Sequence, residues 1–289
     1  MLKERILSAI VMVIAVLAAI FLLSPLPLTI IVTVVVSLGM WEWAQFVGFK
    51  TPVSRMLIAL VTGAILLLLI LANTNYINAT KFITDGTAPV LFIGCIWWIF
   101  ALALVVSYPK SASLWMKSVV AKFIFGLATL LPFLIGFLAL RFYHYNQAPY
   151  QGTYLLLYVC LLVWGADSGA YFFGRAFGKR KLAPKVSPGK SWEGALGGLL
   201  TSSIIAFAFL KFASTDVFGR EFNTTHFILV SVATVAISIL GDLAESMFKR
   251  QAGIKDSSNL IPGHGGILDR IDSLTAAIPF FATMFFFVL

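Results

Sequence analysis

Residues 241–272 read GDLAESMFKRQAGIKDSSNLIPGHGGILDRID, and the rest of the chain is interpreted from this stretch. Its 32 residues hold the acids Asp242, Glu245, Asp256, Asp269 and Asp272, the bases Lys249, Arg250, Lys255 and Arg270, and His264 in a Pro-Gly-His-Gly-Gly loop. On both sides the sequence returns at once to long apolar runs. The chain of 289 residues is 60% hydrophobic and 11% charged, with a mean hydropathy of +0.96. Soluble domains run near 45–50% apolar and about 25% charged. Lipid is therefore the solvent for most of this protein, and little length remains for a separate soluble domain. The charged stretch must sit where water or counter-charge reaches it, because desolvated charge is expensive.

Outward from it, nine apolar segments approach the roughly 20 residues that a helix needs to cross a bilayer. They are about 6–23, 27–47, 56–72, 88–108, 119–140, 153–173, 195–212, 225–241 and 272–289. The fold class expected is all-α, a polytopic integral membrane protein with about nine transmembrane helices. The first segment follows Lys3 and Arg5, as a signal peptide would. No small-x-small cleavage site follows it, and Ser24-Pro25-Leu26-Pro27 reads as a tight turn into the second, so it is expected to stay as a span. Basic residues orient such proteins, the richer side being cytoplasmic. With the N-terminus inside, 17 of the 21 Lys and Arg residues fall on the cytoplasmic side. Lys81, Arg141, Lys211 and Arg220 fall on the other. The net charge of +9 is this asymmetry rather than a nucleic-acid face, and no nucleic-acid partner is expected.

Residues 1–150, spans one to five, carry little chemistry. Glu42 lies between Trp41 and Trp43, which places it near the membrane surface in a structural or interfacial role. Trp97 and Trp98 read as core or lipid-facing residues. Cys95 and Cys160 lie inside apolar runs and read as packing residues. The chemistry concentrates in residues 151–289. Span six ends WGADSGAYFFGRAFGKRK, where Ala166, Ala170, Gly174 and Gly178 form a stripe suited to close helix contact. One position on, Asp167, Tyr171, Arg175 and Lys179 form a polar stripe, so the helix should continue out of the membrane. A positive-inside tail explains those bases but not Asp167.

Ser187–Gly194 reads SPGKSWEG. Its Gly-Lys-Ser invites comparison with a P-loop, but Pro184 stands where the first glycine belongs and no preceding strand is visible. Ser191 suits the cap of a helix starting at Trp192, and Ser187, Lys190 and Ser191 with backbone amides suit phosphate. A plain capped helix start accounts for them equally.

Asp242, Glu245 and Lys249 share one helix face, and Asp269 and Asp272 share another. Two helix tips bearing carboxylates and joined by a glycine-rich loop can converge. Oxygen-only ligands then favour Mg²⁺, and the neighbouring bases suit phosphates. Separate ion pairs, Glu245 with Lys249 and Asp269 or Asp272 with Arg270, explain each residue singly. They do not explain why acids, bases, His264 and the glycines 253, 263, 265 and 266 gather in one segment.

The run Ser246-Met-Phe-Lys249-Arg250, then Lys255-Asp256, then Pro262-Gly-His264-Gly-Gly-Ile-Leu-Asp269-Arg270-Ile-Asp272, resembles the signature of phosphatidate cytidylyltransferases, also called CDP-diacylglycerol synthases. Asp167 in its Gly-Ala-Asp-Ser-Gly-Ala-Tyr context and SPGKSWEG resemble the same family, so the likeness covers about 160–275. It implies transfer of CMP from CTP to phosphatidate, giving CDP-diacylglycerol and pyrophosphate for phospholipid synthesis, in a bacterial-type inner (cytoplasmic) membrane with the active site on the cytoplasmic face. It implies Mg²⁺ on Asp242 and Asp269, with K⁺ as a second cation. Lys249, Arg250, Lys255 and Arg270 would bind the triphosphate, and His264 would lie over it. Asp256 and Asp272 would orient those bases or join the second metal shell, Ser187, Lys190 and Glu193 would complete the wall facing the lipid phosphate, and Asp167 would be a further substrate-binding residue. A homodimer is compatible with the family and with the small-residue stripe. The rivals are a CTP-dependent lipid kinase and a transporter or channel. The latter tends to place polar residues at mid-bilayer or in broken helices.

Overall fold

A computed structural model describes residues 2–212 and 221–289, with side chains from Ser8 onward. Arg220 and the side chains of Lys3 and Arg5 lie outside the described residues. Among the described residues nine long helices carry the fold: α1 (Leu2–Leu22), α2 (Pro25–Val47), α3 (Pro52–Ala72), α4 (Ala88–Val106), α5 (Val119–Arg141), α6 (Gln151–Phe177), α7 (Trp192–Phe212), α8 (Thr224–Ala252) and α9 (Leu268–Phe287). Among the described residues, α2 to α9 are each long and apolar enough to cross a membrane, α4 being continuous with a turn from Ala79. The described side chains of α1 form a shorter apolar helix, Ser8–Leu22. The predicted all-α polytopic architecture is therefore present, with eight such helices plus α1 where about nine spans were expected.

The helix starts follow local chemistry. Pro25 and Pro52 open α2 and α3, where a missing N–H costs nothing. Thr51, Ser118 and Asn223 accept from the N–H groups of Ser54, Ala121 and His226, capping α3, α5 and α8.

Contacts between distant segments show which helix ends lie together. Ser8 meets His264, Glu42 meets the loop after α8, Trp43 Nε1 donates to the Lys122 carbonyl, and Arg250 reaches Val186. At the opposite end Arg141, only 2% exposed, donates from Nε to the Ile20 carbonyl and from Nη1 to that of Pro149. The chain thus alternates as the charge count requires. The start of α1, the 48–51 turn, the start of α5, the segment 178–191 and the loop 253–267 all share one end.

Beneath that end lies an aromatic layer centred on Phe248 of α8, with Trp43 and Trp115 ring centroids both 4.9 Å away. In lipid such packing holds helices together through contact rather than exclusion of water. Trp97 and Trp98 are core residues, 5% and 2% exposed. Both cysteines are free thiols, as the sequence suggested.

The small-residue stripe of α6 packs within the chain. A Cβ at Gly194 or Gly198 of α7 would stand 2.9 Å from the carbonyl of Ala170 or Ala166. The stripe's partner is α7, so it gives no reason for a second copy. Bringing these helix ends together also creates a hairpin unforeseen in the sequence, β1 (Lys181–Ala183) antiparallel to β2 (Ser187–Ser191). The strand Ser-Pro-Gly-Lys-Ser has no apolar alternation, so periodicity could not signal it.

The α8–α9 crossing is tightest at Gly241, where a Cβ would lie 2.6 Å from the Asp272 carbonyl oxygen and 2.9 Å from the Ala276 Cβ. Gly241→Ala is expected to force these helices apart at a cost of about 1–3 kcal/mol. A lowered thermal unfolding midpoint in detergent would show it, and a wild-type midpoint would refute so close a crossing.

Candidate active site

The loop between α8 and α9 is held from below by two carboxylates. Asp269, in the first turn of α9, accepts at Oδ2 from the N–H of Ser257 and of Gly266, both at 2.8 Å. Its Oδ1 receives Lys249 Nζ at 2.6 Å. Glu42 of α2 is the second anchor and is 0% exposed. Its Oε1 accepts from Ser258 Oγ at 2.6 Å and Ile267 N at 2.9 Å. Its Oε2 accepts from Leu268 N at 2.7 Å and lies 2.9 Å from Ser257 Oγ. That hydroxyl is also 2.9 Å from Asp269 Oδ2, and with one proton it serves one carboxylate at a time. Gln45, one helical turn on, donates to the Ser257 carbonyl.

The loop glycines are required by this packing. A Cβ at Gly266 would fall 2.1 Å from Ser257 Oγ and 2.3 Å from Glu42 Oε1. Gly265 has φ +81° and its Cβ would lie 2.6 Å from Asp269 Oδ2, so no larger residue fits there.

Glu42 lies at the charged end of the bundle in a structural role, the level and role expected of it; that it is buried and clamps the loop is what the sequence did not show. The tryptophans beside it gave a level along the membrane normal, whereas its partners come from a segment over two hundred residues away. The signal available was a lone carboxylate in an apolar span, which needs a partner somewhere.

A second group of charges lines a cavity of about 460 Å³ between α6, the hairpin, α7 and α8, bordered by Asp167, Tyr171, Arg175, Lys190, Ser191 and Asp242. Lys190 Nζ lies 2.5 Å from Asp242 Oδ2, and Ser246 Oγ donates to Asp242 Oδ1 at 3.3 Å. Asp167 and Asp272 both interact electrostatically with Asp242 and with Lys190. Asp272 in turn interacts with Glu245, and Lys249 stands between Glu245, at 3.4 Å, and Asp269. Asp242 and Asp269 therefore belong to one network, each neutralised by its own lysine. Glu245, 5% exposed, is thus buried between Asp272 and Lys249.

The remaining candidates are placed as follows. Ser191 Oγ accepts from Gly194 N at 3.1 Å, the cap expected for α7. Glu193 accepts from the N–H groups of Lys179 and Arg180, which ties the end of α6 to the start of α7. Ser187 opens β2, whose later residues Gly189, Lys190 and Ser191 border the cavity. Arg250 is exposed and donates from Nε to the Val186 carbonyl at 3.2 Å, which steadies the hairpin. Lys255, Asp256 and Arg270 are exposed on the loop side. His264 Nδ1 is hydrogen bonded to Ser8 Oγ at 2.7 Å, so the N-terminal helix touches the loop.

The arrangement suits chemistry on polyanions at the edge of lipid. Lysines are held by carboxylates that phosphate groups can replace, and these charges are backed by apolar helices. As built, no three acids or histidines among the described residues form a metal cage. Mg²⁺, however, commonly uses one or two carboxylates with water and substrate phosphates. The donor set fits that mode: Asp242 and Asp269 offer carboxylate oxygens, now neutralised by Lys190 and Lys249, whose place a cation could take.

Residues 3–288 match the model of the Cytidylyltransferase family. The phosphatidate cytidylyltransferase of Haemophilus influenzae is 54% identical over 289 residues, the full length of both chains. The phosphatidate cytidylyltransferase of Pseudomonas aeruginosa is 44% identical over 98% of this chain and 97% of its own. That of Bacillus subtilis is 31% identical over 96% and 95%. With its charged loop, lysine-bearing cavity and membrane helices in one continuous match, this chain belongs to the cytidylyltransferase family.

Proposed function

We propose that the protein is a phosphatidate cytidylyltransferase acting at the cytoplasmic face of a bacterial inner membrane. The observation that carries this reading is the charged cavity of Asp167, Lys190 and Asp242, set at one end of an apolar bundle in a chain that matches such enzymes from end to end. The orientation rests on the 17 basic residues that share the site's side of the membrane.

In the reaction, a phosphate oxygen of phosphatidate bonds to the α-phosphorus of CTP. The bond from that phosphorus to the bridging oxygen of the β-phosphate breaks, and pyrophosphate leaves with the electron pair. The nucleophile is already ionised, so no strong base is needed. The two substrates carry roughly five to six negative charges between them near neutral pH. The barrier is therefore their approach, and catalysis is positioning and charge neutralisation.

Lys190 would pass from Asp242 to an incoming phosphate, and Arg175 on the same cavity wall would add a second positive contact. Lys249, Arg250, Lys255 and Arg270 would gather the triphosphate and the leaving pyrophosphate, with His264 above it. Asp272 and Asp256 would orient these bases. Asp242 and Asp269 would hold Mg²⁺, beside K⁺ as a second cation. When bound, the metal supplies neutralisation of phosphate charge.

The test is turnover by the full chain in phosphatidate-containing vesicles, with CTP labelled either in cytidine or at the γ-phosphate. Cytidine label should enter the lipid, and a chelator should abolish it. Transfer of γ-phosphate alone would replace this reading with a lipid kinase. Transfer of neither would leave the transporter.

A further inference from the structure

A second cavity, of about 520 Å³, runs between α1 and the faces of α2, α5, α6 and α9. Its size lies within the range of small-molecule sites, about 300–1,000 Å³. Among the described residues, the side-chain hydrogen bonds that tie α1 to the bundle lie near its two ends. At the charged end Ser8 is hydrogen bonded to His264. At the far end the Ile20 carbonyl accepts from Arg141 Nε and from Thr153 Oγ1. Between these ties α1 stands off the bundle and leaves a groove walled by Met12, Val16, Val35, Phe133, Phe137 and Ile278. From Ala9 to Ile20 the helix rises about 17 Å, at 1.5 Å per residue, comparable to an extended fatty-acyl chain.

The two ends of the groove differ in chemistry. Along its length it is apolar. At the loop end it is bordered by Asp167, His264, Asp269, Arg270 and Asp272. Lys249 already neutralises Asp269, while Arg270 is exposed there, so an anion can be received despite the carboxylates. Asp167 borders both this groove and the lysine-bearing cavity, so the two spaces meet at one side chain. A long apolar slot ending in mixed charge matches an amphiphile with an anionic head. It offers an ion or a soluble nucleotide nothing along most of its length.

We propose that this groove is the acyl-chain subsite of the lipid substrate. One fatty chain lies between α1 and the α2/α5/α9 face, and the phosphate sits at the Asp167 end. The proposal rests on the cytidylyltransferase reading for the identity of the lipid, and on the geometry of the groove for its place.

Two measurements test it. In the first, Val16→Trp and Val35→Trp fill facing walls of the groove. The ratio of kcat/KM for dioleoyl over dihexanoyl phosphatidate should fall about tenfold or more, the scale of a few lost methylene contacts. An unchanged ratio in both variants would overturn the proposal. The second needs no variant. The wild-type chain, in vesicles containing phosphatidate with a diazirine at the end of one chain, is irradiated and its labelled peptides are identified. Label should concentrate on Met12–Val16 and Phe133–Phe137. If cytidine transfer proceeds while label falls equally on the outer face of α3, the groove assignment fails and the activity stands. Label in the groove without any cytidine transfer would support the subsite and overturn the activity.

Discussion

Glu42→Gln is expected to lose both stability and turnover, although residue 42 lies under the loop rather than in the cavity. The carboxylate accepts hydrogen bonds from Ser258, Ile267 and Leu268 and shares the Ser257 hydroxyl with Asp269. Glutamine keeps one acceptor oxygen and turns an NH₂ toward two donors. The N–H of Leu268 would then face another donor, while the Ser257 hydroxyl could turn to Asp269, and a buried unsatisfied group costs about 1–3 kcal/mol. Hydrogen bonds to a charged group are worth about 1.5–3 kcal/mol each, so weakening the others adds to this loss. The loop that carries His264 and leads into Asp269 would lose its floor. A displacement near 1 Å at a reacting site can cost about a hundredfold in rate, so cytidine transfer should fall by about that factor or more. A thermal midpoint and turnover both close to wild type would remove Glu42 from this role.

Asp269→Asn is expected to separate folding from activity. The asparagine oxygen can take the place of Oδ2 and keep the N–H donors of Ser257 and Gly266, so the loop should remain, at a cost of about 1–3 kcal/mol. The NH₂ would then face the Lys249 ammonium in place of Oδ1. Lys249 would shift toward Glu245, and the acid–base network would lose one negative charge beside the nucleotide. Losing a preorganised electrostatic contact of this kind typically costs about 10²–10³ in rate. Product formation should therefore fall to background while the unfolding midpoint drops only slightly. Turnover near wild type would rule out Asp269 as a metal or phosphate-orienting residue.

Much of this protein was legible in one dimension because a bilayer imposes a one-dimensional constraint. Each span must be apolar over a bilayer's thickness, and basic residues mark one side. Span positions, the shared end of the basic segments and the extension of α6 to Phe177 follow from that alone. So did the candidate site, because charge is costly in lipid and a dense cluster of it calls for a reason. Asp242, Lys249, His264 and Asp269 stood out against apolar neighbours.

Pairing was not legible, since it depends on which helices cross and at what height. The α6 stripe announced close contact but not its partner, and α7 proved to take it through Gly194 and Gly198. The hairpin at Lys181–Ser191 forms because those two helix ends are brought together, with no apolar alternation to foretell it. Asp242 appeared as a partner for Asp269, whereas Lys190 lies against the first and Lys249 against the second.

By itself the amino-acid order determined where the chain enters lipid, which side carries charge, and which short segment holds the chemistry, since each of these depends only on local transfer energies. Tertiary structure alone decided that Glu42 of α2 supports the loop after α8, and that α1 stands off the bundle to leave an apolar slot meeting the charged cavity at Asp167. Those are contacts between segments more than a hundred residues apart, and more than two hundred for Glu42. Their geometry is set by helix crossings, in which the shape of a neighbour matters as much as the residue itself.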